Sequence, residues 1–312
     1  MNINATKIGR FAPSPSGVMH LGNIMSSLLA WLDVRSESGK LIFRMEDLDT
    51  DRSNAEYAVQ IASDLKFLGL DWEIGWENMP NDSFAQSSRT ALYEDVFGLL
   101  MRKDLLYPCY CTRSERLAAS APHPGDNCTD RGCKCRYLSA SERRLLEAEG
   151  RKPAWKVKVP NREISFTDGH YGKQLQNLAD SGDFIIKRSD GVFAYQLAVS
   201  FDDMDMGVNR VVRGRDLLSS TAKQIWLIGE LGGTVPEYCH APLLVTEDKR
   251  KMSKRNGDLS MEILREKYTA EEIIGHLAYL LKLTDNDNPI SAKEMVRTFD
   301  WAKIPQNDIV LK

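Results

Sequence analysis

The sequence of 312 residues has no apolar run of the roughly 18 residues that a membrane-spanning helix needs. Its first ten residues, MNINATKIGR, lack the apolar core of a signal peptide. The net charge of −3 gives no general basic field, so any binding of nucleic acid must depend on local basic patches. These absences argue against a membrane or exported protein, and we expect a cytoplasmic protein that binds no membrane.

Cysteine is scarce outside one short segment. Five of the six cysteines lie between residues 109 and 135, namely Cys109, Cys111, Cys128, Cys133 and Cys135. Clustered thiols in a reducing cytoplasm indicate a metal site rather than disulfides. Two C-x-C pairs, separated by 21 residues, offer four ligands for a tetrahedral Zn²⁺, which leaves one of the five thiols spare. A reactive or merely exposed cysteine loop is the alternative.

The order of predicted elements favours an α/β fold. Strand candidates are rich in Ile, Val and Phe, and helix candidates alternate with them in the first 70 residues, as in a parallel, doubly wound sheet. The strand candidates are KIGRF, KLIFRM, DFIIKR, NRVVRG and APLLVT, with the strand-like AWKVKV inside the interruption described next. Four capping boxes predict helix starts, at Ser53 with Glu56, Ser139 with Glu142, Thr269 with Glu272, and Ser291 with Glu294. Gly69 and Gly150 are expected to end two of these helices.

The sheet pattern is interrupted by the cysteine cluster and then resumes. We predict a split Rossmann-type domain with a zinc-bearing insertion and a small C-terminal helical domain. The expected bounds are 1–106 for the first half of the catalytic domain, 107–182 for the insertion, 183–256 for the second half and 257–312 for the helical domain.

The stretch RFAPSPSGVMHLGN, residues 10–23, predicts a tight turn in front of a helix. Its prolines and glycines do not suit the middle of a helix or strand, whereas the apolar run 24–32 does suit a helix. The turn would place His20 and Asn23 at a helix N-terminus, where unpaired N–H groups and the helix dipole favour an anion. Alone, the pattern is equally compatible with an ordinary strand–turn–helix corner.

A second candidate lies in EDKRKMSKRNG, where five cations occupy residues 249–255. Lysines in a loop suit a polyphosphate whose negative charge grows during transfer. A solvated basic surface is the usual alternative. Both stretches, together with RMEDLDTDR (44–52) and VVRGRDLL (211–218), follow strand candidates. They are therefore expected at one crevice, at the carboxyl ends of the strands.

The pair of motifs resembles the two signature motifs of class I aminoacyl-tRNA synthetases, with HLGN matching HIGH and KMSKR matching KMSKS. The resemblance implies that both motifs bind ATP, with Mg²⁺, and that the second stabilises the departing pyrophosphate. The implied ATP-binding residues are His20, Gly22, Asn23, Lys251, Met252, Ser253, Lys254 and Arg255, of which His20 and Lys254 are the expected catalytic pair.

RFAPSPSG and RMEDLD are similar to the glutamate-specific branch of that class. Glutamate has two carboxylates and one ammonium, so its site needs arginines and one acid. The implied glutamate-binding residues are Arg10, Ala12, Ser14, Glu46, Tyr195 and Arg213. The competing interpretations pair Arg10 with Asp47 or Asp49, and place Tyr195 in the core. This chemistry needs no covalent nucleophile, because it depends on positioning and charge stabilisation.

VVRGRDLLSSTAKQ, with Leu218 in place of a typical histidine, resembles the glutamyl-queuosine tRNA(Asp) synthetase family, as do FAYQLAVSFDD and the short C-terminal part. That resemblance implies activation of L-glutamate without tRNA and transfer to queuosine in the anticodon loop of tRNA(Asp). The alternatives are a catalytic fragment of a conventional glutamyl-tRNA synthetase and a catalytically silent RNA-binding paralogue.

The same resemblance bears on the metal site, while RNA contacts and assembly are separate expectations. It implies one structural zinc on Cys109, Cys111, Cys133 and Cys135, with Cys128 in place of Cys133 as the alternative. Basic residues in 151–162 and 209–215 are candidates for RNA phosphate contacts, although solvated strand faces are the competing interpretation. We expect a monomer.

Overall fold

The computed structural model describes residues 6–111, 133–246 and 259–311. Its strands are β1 (Ile8–Phe11), β2 (Lys40–Phe43), β3 (Ile74–Gly75), β4 (Leu106–Cys109), β5 (Ala154–Val157), β6 (Glu163–Asp168), β7 (Gly172–Asn177), β8 (Phe184–Lys187), β9 (Arg210–Gly214), β10 (Glu237–Ala241), β11 (Leu244–Val245) and β12 (Ile309–Val310). Its α-helices are α1 (Leu21–Arg35), α2 (Ala55–Phe67), α3 (Thr90–Arg102), α4 (Ala140–Ala148), α5 (Leu178–Ser181), α6 (Tyr195–Asp205), α7 (Thr221–Glu230), α8 (Met261–Lys267), α9 (Ala270–Leu280) and α10 (Ala292–Met295).

Two parallel sheets lie edge to edge and form the Rossmann-type centre. Strands β1, β2 and β3 pair in that order, and β9 pairs with β10. Strand β9 runs beside β1, because the Asn209 N–H donates to the Ile8 carbonyl at 3.0 Å and the Ile8 N–H donates to the Asn209 side chain at 2.7 Å. The two halves of the chain therefore meet where β1 lies beside β9, in the middle of the row of parallel strands.

Helix α1 is buried against these strands and anchors the main core. Residues 28–34 of this helix are all buried, which explains why its sequence is apolar on nearly every side. It packs with Leu41 and Phe43 of β2, while Ile61 and Leu65 of α2 join the same core. Burying these large side chains contributes about 1.5–3 kcal/mol each.

The segment between the two halves forms an antiparallel layer with its own core. Strands β4, β5 and β8 pair in that order, and β6 and β7 form a separate hairpin. This second core lies under α3, α6 and α7 and includes Tyr93, Leu197 and Leu227. The insertion is therefore fixed to the second half of the catalytic unit through a shared apolar interface.

The C-terminal helices pack into the main core. Ile273, Ile274 and Leu277 of α9 are buried in the same cluster as α1, and the Trp301 indole N–H donates to Asp33 at 2.6 Å. Strand β12 pairs in parallel with β11 beside the sheet centre. Within the described residues, no helix has the length and apolar character required to cross a membrane.

The α/β fold class with its parallel sheet is confirmed. Each strand candidate contains strand residues, although APLLVT covers only the last residue of β10, Ala241, and the two residues of β11, 244 and 245. Three of the four capping boxes are present, at Ser139, Thr269 and Ser291. The fourth is wrong, because Asn54 rather than Ser53 caps α2 by accepting from the Glu56 N–H. The domain bounds at 106, 182 and 256 stay predictions.

Candidate active site

The predicted turn connects β1 to α1, and His20 is its last residue. The His20 backbone is extended at the N-cap of α1, and its Nδ1 accepts a hydrogen bond from the Gly22 N–H at 3.2 Å. The Asn23 side chain closes the reciprocal bond by accepting from the His20 N–H at 3.2 Å. Because Nδ1 is an acceptor, the neutral imidazole carries its proton on Nε2.

Gly22 allows the chain to pass close to this ring. A Cβ built on Gly22 would lie 3.2 Å from two atoms of the His20 imidazole and 3.9 Å from the Leu244 Cβ. A side chain there would press on the ring that caps the helix. The glycine therefore preserves both the cap and the opening beside it.

A buried cluster of charges lies behind the turn. Asp203 accepts from the Arg10 Nε at 3.2 Å and from the Arg44 Nη1 at 2.8 Å. Burial acts to raise the pKa of the Asp203 carboxyl, but these two guanidinium groups outweigh it and hold the pKa below its ordinary value. Arg10 also donates from Nη1 to the Val212 carbonyl at 3.2 Å. Its position is thus fixed from two sides.

Glu46 is held against the same cluster. Its backbone N–H donates to the Pro13 carbonyl at 2.9 Å, and its carboxylate accepts from the Arg44 Nη2 at 3.1 Å. Its side chain is only 8% exposed. Burial raises the pKa of the Glu46 carboxyl above 4.5, although Arg44 and Arg10 act in the opposite direction. The positive charge of a cationic ligand beside this carboxylate would compensate for the solvation that burial removes.

Arg213 and Tyr195 approach from the second half of the chain. Arg213, near the end of β9, donates from Nη1 to Gln224 at 2.6 Å and from Nη2 to Thr221 at 2.9 Å. Tyr195 begins α6 and is half-buried. Burial, together with the nearby Glu46 carboxylate, raises the pKa of the Tyr195 hydroxyl, so it stays protonated as a hydrogen-bond donor.

The turn, Arg10, Glu46, Tyr195 and Arg213 line one cavity of about 480 Å³ at the carboxyl ends of β1, β2 and β9, while Arg44 and Asp203 lie behind its wall. Nine predicted site residues belong to its wall: Arg10, Ala12, Ser14, His20, Gly22, Asn23, Glu46, Tyr195 and Arg213. A crevice at this edge of a parallel sheet is where α/β proteins bind ligands. Two arginines, one acid and a helix N-terminus in one cavity suit a ligand that has carboxylates, an ammonium and phosphates.

The KMSKR motif lies outside the described residues, so Lys251, Met252, Ser253, Lys254 and Arg255 stay predictions. The described residues before 247–258 line the cavity, and those after it contact its wall. Leu244 lines its wall, while Ser260 forms a β-bridge with His20 and the Met261 N–H donates to the Met19 carbonyl at 2.9 Å.

The structure brings the four predicted metal ligands together. The Sγ atoms of Cys109, Cys111, Cys133 and Cys135 all lie within 4.8 Å of one another. The separations are 3.5 Å for Cys109 to Cys133, 3.9 Å for Cys111 to Cys133 and 3.6 Å for Cys111 to Cys135. A tetrahedral zinc with Zn–S bonds of about 2.3 Å has S···S edges of about 3.8 Å, so the four thiols fit this ion. Cys128, the alternative ligand, lies outside the described residues.

Two competing interpretations from the sequence are wrong. Arg10 pairs with Asp203 and not with Asp47 or Asp49. Asp47 instead accepts from Ser87, and Asp49 from Arg188. Tyr195 lies in the cavity wall and not in the core.

The structure also removes several candidates for RNA contact. Arg210 is buried and donates twice to Asp33, at 2.9 and 2.7 Å, and Arg213 is only 5% exposed. Arg215 stays a candidate, since its side chain is 40% exposed, although it pairs with Asp308 through two hydrogen bonds. In the 151–162 segment, Lys156 is buried, whereas Arg151 and Lys152 are exposed.

Sequence reasoning missed the residues that support the cavity wall. Arg44 and Asp203 lie within quoted segments but were not singled out, and the buried His240 and Asp168 were not considered. Their partners lie far away in sequence: 193 residues separate Arg10 from Asp203. The only available sign was the placement of charged residues directly beside apolar strand and helix segments, in RMEDLD and VSFDD.

Comparisons with known proteins agree with this geometry. The family model described as "tRNA synthetases class I (E and Q), catalytic domain" matches residues 8–309. The chain is 44% identical over 308 residues to the glutamyl-Q tRNA(Asp) synthetase of Symbiobacterium thermophilum, covering 96% of this chain and 94% of that protein. It is 43% identical over 306 residues to the glutamyl-Q tRNA(Asp) synthetase of Nitratidesulfovibrio vulgaris, covering 97% and 94%.

A solved structure gives the same fold. The crystal structure of the glutamate-tRNA synthetase from Elizabethkingia anophelis matches with a TM-score of 0.83 and 27% identity, over 99% of this chain and 68% of that chain. Fold and site thus define a class I tRNA synthetase catalytic domain of the glutamate and glutamine type. Within that class, the chain belongs to the glutamyl-Q tRNA(Asp) synthetase family.

Proposed function

We propose that this chain activates L-glutamate with ATP and transfers the glutamyl group to queuosine in the anticodon loop of tRNA(Asp). The observation that carries the activation step is the single cavity in which Arg10, Arg213, Glu46 and the His20 helix cap converge. The choice of acceptor is supported by two near-full-length relatives of 44% and 43% identity that are both named glutamyl-Q tRNA(Asp) synthetases.

The amino acid is bound by complementary charges. Arg10 and Arg213 bind the two carboxylates of glutamate, since guanidinium groups pair with carboxylates through directional, charge-assisted hydrogen bonds. Glu46 binds the ammonium, which compensates for the burial of its own carboxylate. Tyr195 and Ser14 supply neutral hydrogen bonds to the same ligand.

The nucleotide lies next to the N-terminus of α1. The His20 Nε2–H donates to a phosphate oxygen, and the close backbone at Gly22 and Asn23 leaves room for the polyphosphate. An oxygen of the glutamate carboxylate attacks the α-phosphorus of ATP. The bond from that phosphorus to the bridging oxygen breaks, and pyrophosphate leaves with the electron pair. Lys254 stabilises its charge, and Mg²⁺ accompanies ATP as part of the substrate.

Transfer completes the reaction. A hydroxyl of the queuosine cyclopentene-diol attacks the glutamyl carbonyl, an ester bond forms, AMP leaves and the hydroxyl proton is released. Both steps depend on positioning and charge stabilisation. We propose that the chain acts as a cytoplasmic monomer.

The acceptor is tested by incubating the chain with labelled glutamate and ATP and two tRNA pools, one from cells that contain queuosine and one from cells that cannot make it. Label is expected in tRNA(Asp) from the first pool only. The second candidate is charging of tRNA(Glu), which the fold match to a glutamate-tRNA synthetase favours. Equal labelling of tRNA(Glu) in both pools would establish that candidate and refute ours.

We further propose that the four-cysteine cluster holds one structural zinc. Metal analysis of the purified chain is expected to give about one zinc per chain, because the thiol separations suit a tetrahedral ion. Cys133→Ser is expected to lose that zinc and Cys128→Ser to keep it. Cys239→Ser is the control, since this buried cysteine packs in the main core. Zinc retained by Cys133→Ser but lost by Cys128→Ser would assign the alternative ligand set.

A further inference from the structure

Arg213 lies on top of a buried polar network that the proposed chemistry does not use directly. Its Nε donates to the His240 Nε2 at 3.1 Å, while Nη1 and Nη2 donate to Gln224 and Thr221. A longer contact of 3.5 Å joins Nη2 to the Leu217 carbonyl. A guanidinium has five N–H groups, so these contacts leave at least one N–H of Nη1 for a ligand in the cavity.

The other nitrogen of the His240 ring contacts Asp168. The Nδ1 to Oδ2 distance is 2.6 Å, and the ring is fully buried. The second carboxylate oxygen, Oδ1, accepts three backbone N–H groups, from His170 at 3.0 Å, Tyr171 at 2.9 Å and His240 at 3.3 Å. Oδ2 of Asp168 therefore contacts the His240 ring, while Oδ1 accepts from the backbone.

This arrangement determines which nitrogen of His240 carries the proton. Burial acts to raise the pKa of Asp168, but the bonds from His240 and the backbone N–H groups outweigh it and hold the pKa low. The carboxylate is thus ionised and can only accept, so Nδ1 carries the proton and donates. Burial, and next the Arg213 charge, lower the pKa of His240 although Asp168 acts against them. The ring is therefore neutral, with the lone pair of Nε2 directed at Arg213.

We infer that Asp168 and His240 are positioning residues for glutamate binding, because Asp168 selects the ring tautomer that accepts from the Arg213 Nε. In the other tautomer, Nε2–H would face the Arg213 Nε–H, so the Arg213 Nε would lose its acceptor and Nε2–H would have to turn to the Thr221 hydroxyl at 3.3 Å, which already accepts from Arg213. The inference deepens the proposed function and rests on it. Neither residue touches the substrate, since both lie behind Arg213.

The network provides an isosteric test, Asp168→Asn. Three backbone N–H donors around Oδ1 keep an amide oxygen at that position, so the amide NH₂ must take the position of Oδ2 and donate to Nδ1. The proton of His240 is then expected to move to Nε2. Nitrogen NMR of the five histidine rings reads this tautomer directly, and His240→Gln assigns the signal.

The kinetic readout is the KM for each substrate in ATP–pyrophosphate exchange. Loss of a hydrogen bond to a charged group is expected to raise the KM for glutamate about tenfold or more and to leave the KM for ATP unchanged. Asp71→Asn is the matched control, because its exposed carboxylate also accepts from a ring N–H, of Trp31 at 2.9 Å, and from an arginine, Arg35 at 2.8 Å. It is expected to change neither value.

If the wild-type chain shows glutamate-dependent exchange, two results would overturn the inference: an unchanged His240 tautomer in Asp168→Asn, or a changed tautomer with an unchanged KM for glutamate. Failure of the proposed function looks different, since the wild-type chain would then show no glutamate-dependent exchange. In that case, NMR of Asp168→Asn still tests the positioning role. A displaced Arg213 Nε–H signal in Asp168→Asn supports the role, and an unmoved one refutes it.

Discussion

Asp203→Ala is expected to lower the free energy of unfolding by about 3–5 kcal/mol, because it removes the buried carboxylate that Arg10 and Arg44 share. The Asp203 side chain is 3% exposed and Arg44 is 0% exposed. After the substitution, Arg10 keeps its hydrogen bond to the Val212 carbonyl, and Arg44 keeps Glu46 at 3.1 Å and Asp202 at 3.8 Å. Urea unfolding followed by tryptophan fluorescence measures the difference.

The matched control is Asp205→Ala, two residues further along α6. Asp205 also pairs with an arginine, Arg89 at 2.5 Å, but its side chain is 44% exposed. Water replaces such a pair at small cost, so the loss is expected to be about 1 kcal/mol or less. Equal losses in the two variants would show that burial of the Asp203 cluster does not determine its contribution to stability.

The contribution of Asp203 to the free energy of unfolding is expected to fall at low pH. The pKa of Asp203 is lower in the folded chain than its ordinary value of 3.8, so folding favours the ionised form. The contribution is fully present above that ordinary value and is lost as the pH falls through the lowered pKa. The stability difference between the wild-type chain and Asp203→Ala is therefore expected to stay constant across neutral and mildly acidic pH.

The fold was largely accessible from sequence where local chemistry decides the structure. Buried parallel strands such as β1 and β2 are short apolar runs, and capping boxes at Ser139, Thr269 and Ser291 use residues three positions apart. The error at Ser53 arose because the next residue, Asn54, is an equally good cap and its side chain reaches the Glu56 N–H.

The hairpin of β6 and β7 was not predicted, for a physical reason. Most residues of β7 are polar, and its one large apolar residue, Leu175, is 64% exposed. The strand therefore lacks the apolar alternation that identifies a half-buried strand. The role of the hairpin becomes visible only in three dimensions, since Asp168, the last residue of β6, contacts the ring of His240.

The cavity wall was easier to predict than its support. His20, Glu46 and Arg213 lie in short motifs whose residue types suit phosphate, ammonium and carboxylate. Asp203, in contrast, supports the wall because it accepts a hydrogen bond from Arg44, which is 159 residues away in sequence. No local sequence pattern predicts which of several acidic residues will pair with a given arginine.

Lys254→Ala is expected to lower glutamate-dependent ATP–pyrophosphate exchange by about 10²- to 10³-fold, the usual cost of removing a group that stabilises charge developing in a transition state. Lys254 belongs to the KMSKR motif. On the described flanks of that segment, Leu244 lines the cavity and Ser260 forms a β-bridge with His20 of its wall. The thermal midpoint of unfolding is expected to stay unchanged. Exchange of labelled pyrophosphate into ATP is the measurement.

Arg250→Ala is the matched control, because it removes a cation from the same basic run, one residue before the motif. If the run acts only as a general positive surface, the two variants will lose similar activity, and both losses will shrink as salt is added. If Lys254 contacts the pyrophosphate as it leaves, Lys254→Ala alone loses exchange, and the loss persists at high salt because a close contact in the cavity is weakly screened. Full exchange in Lys254→Ala would remove this residue from the reaction and leave charge stabilisation to the His20 end of the cavity.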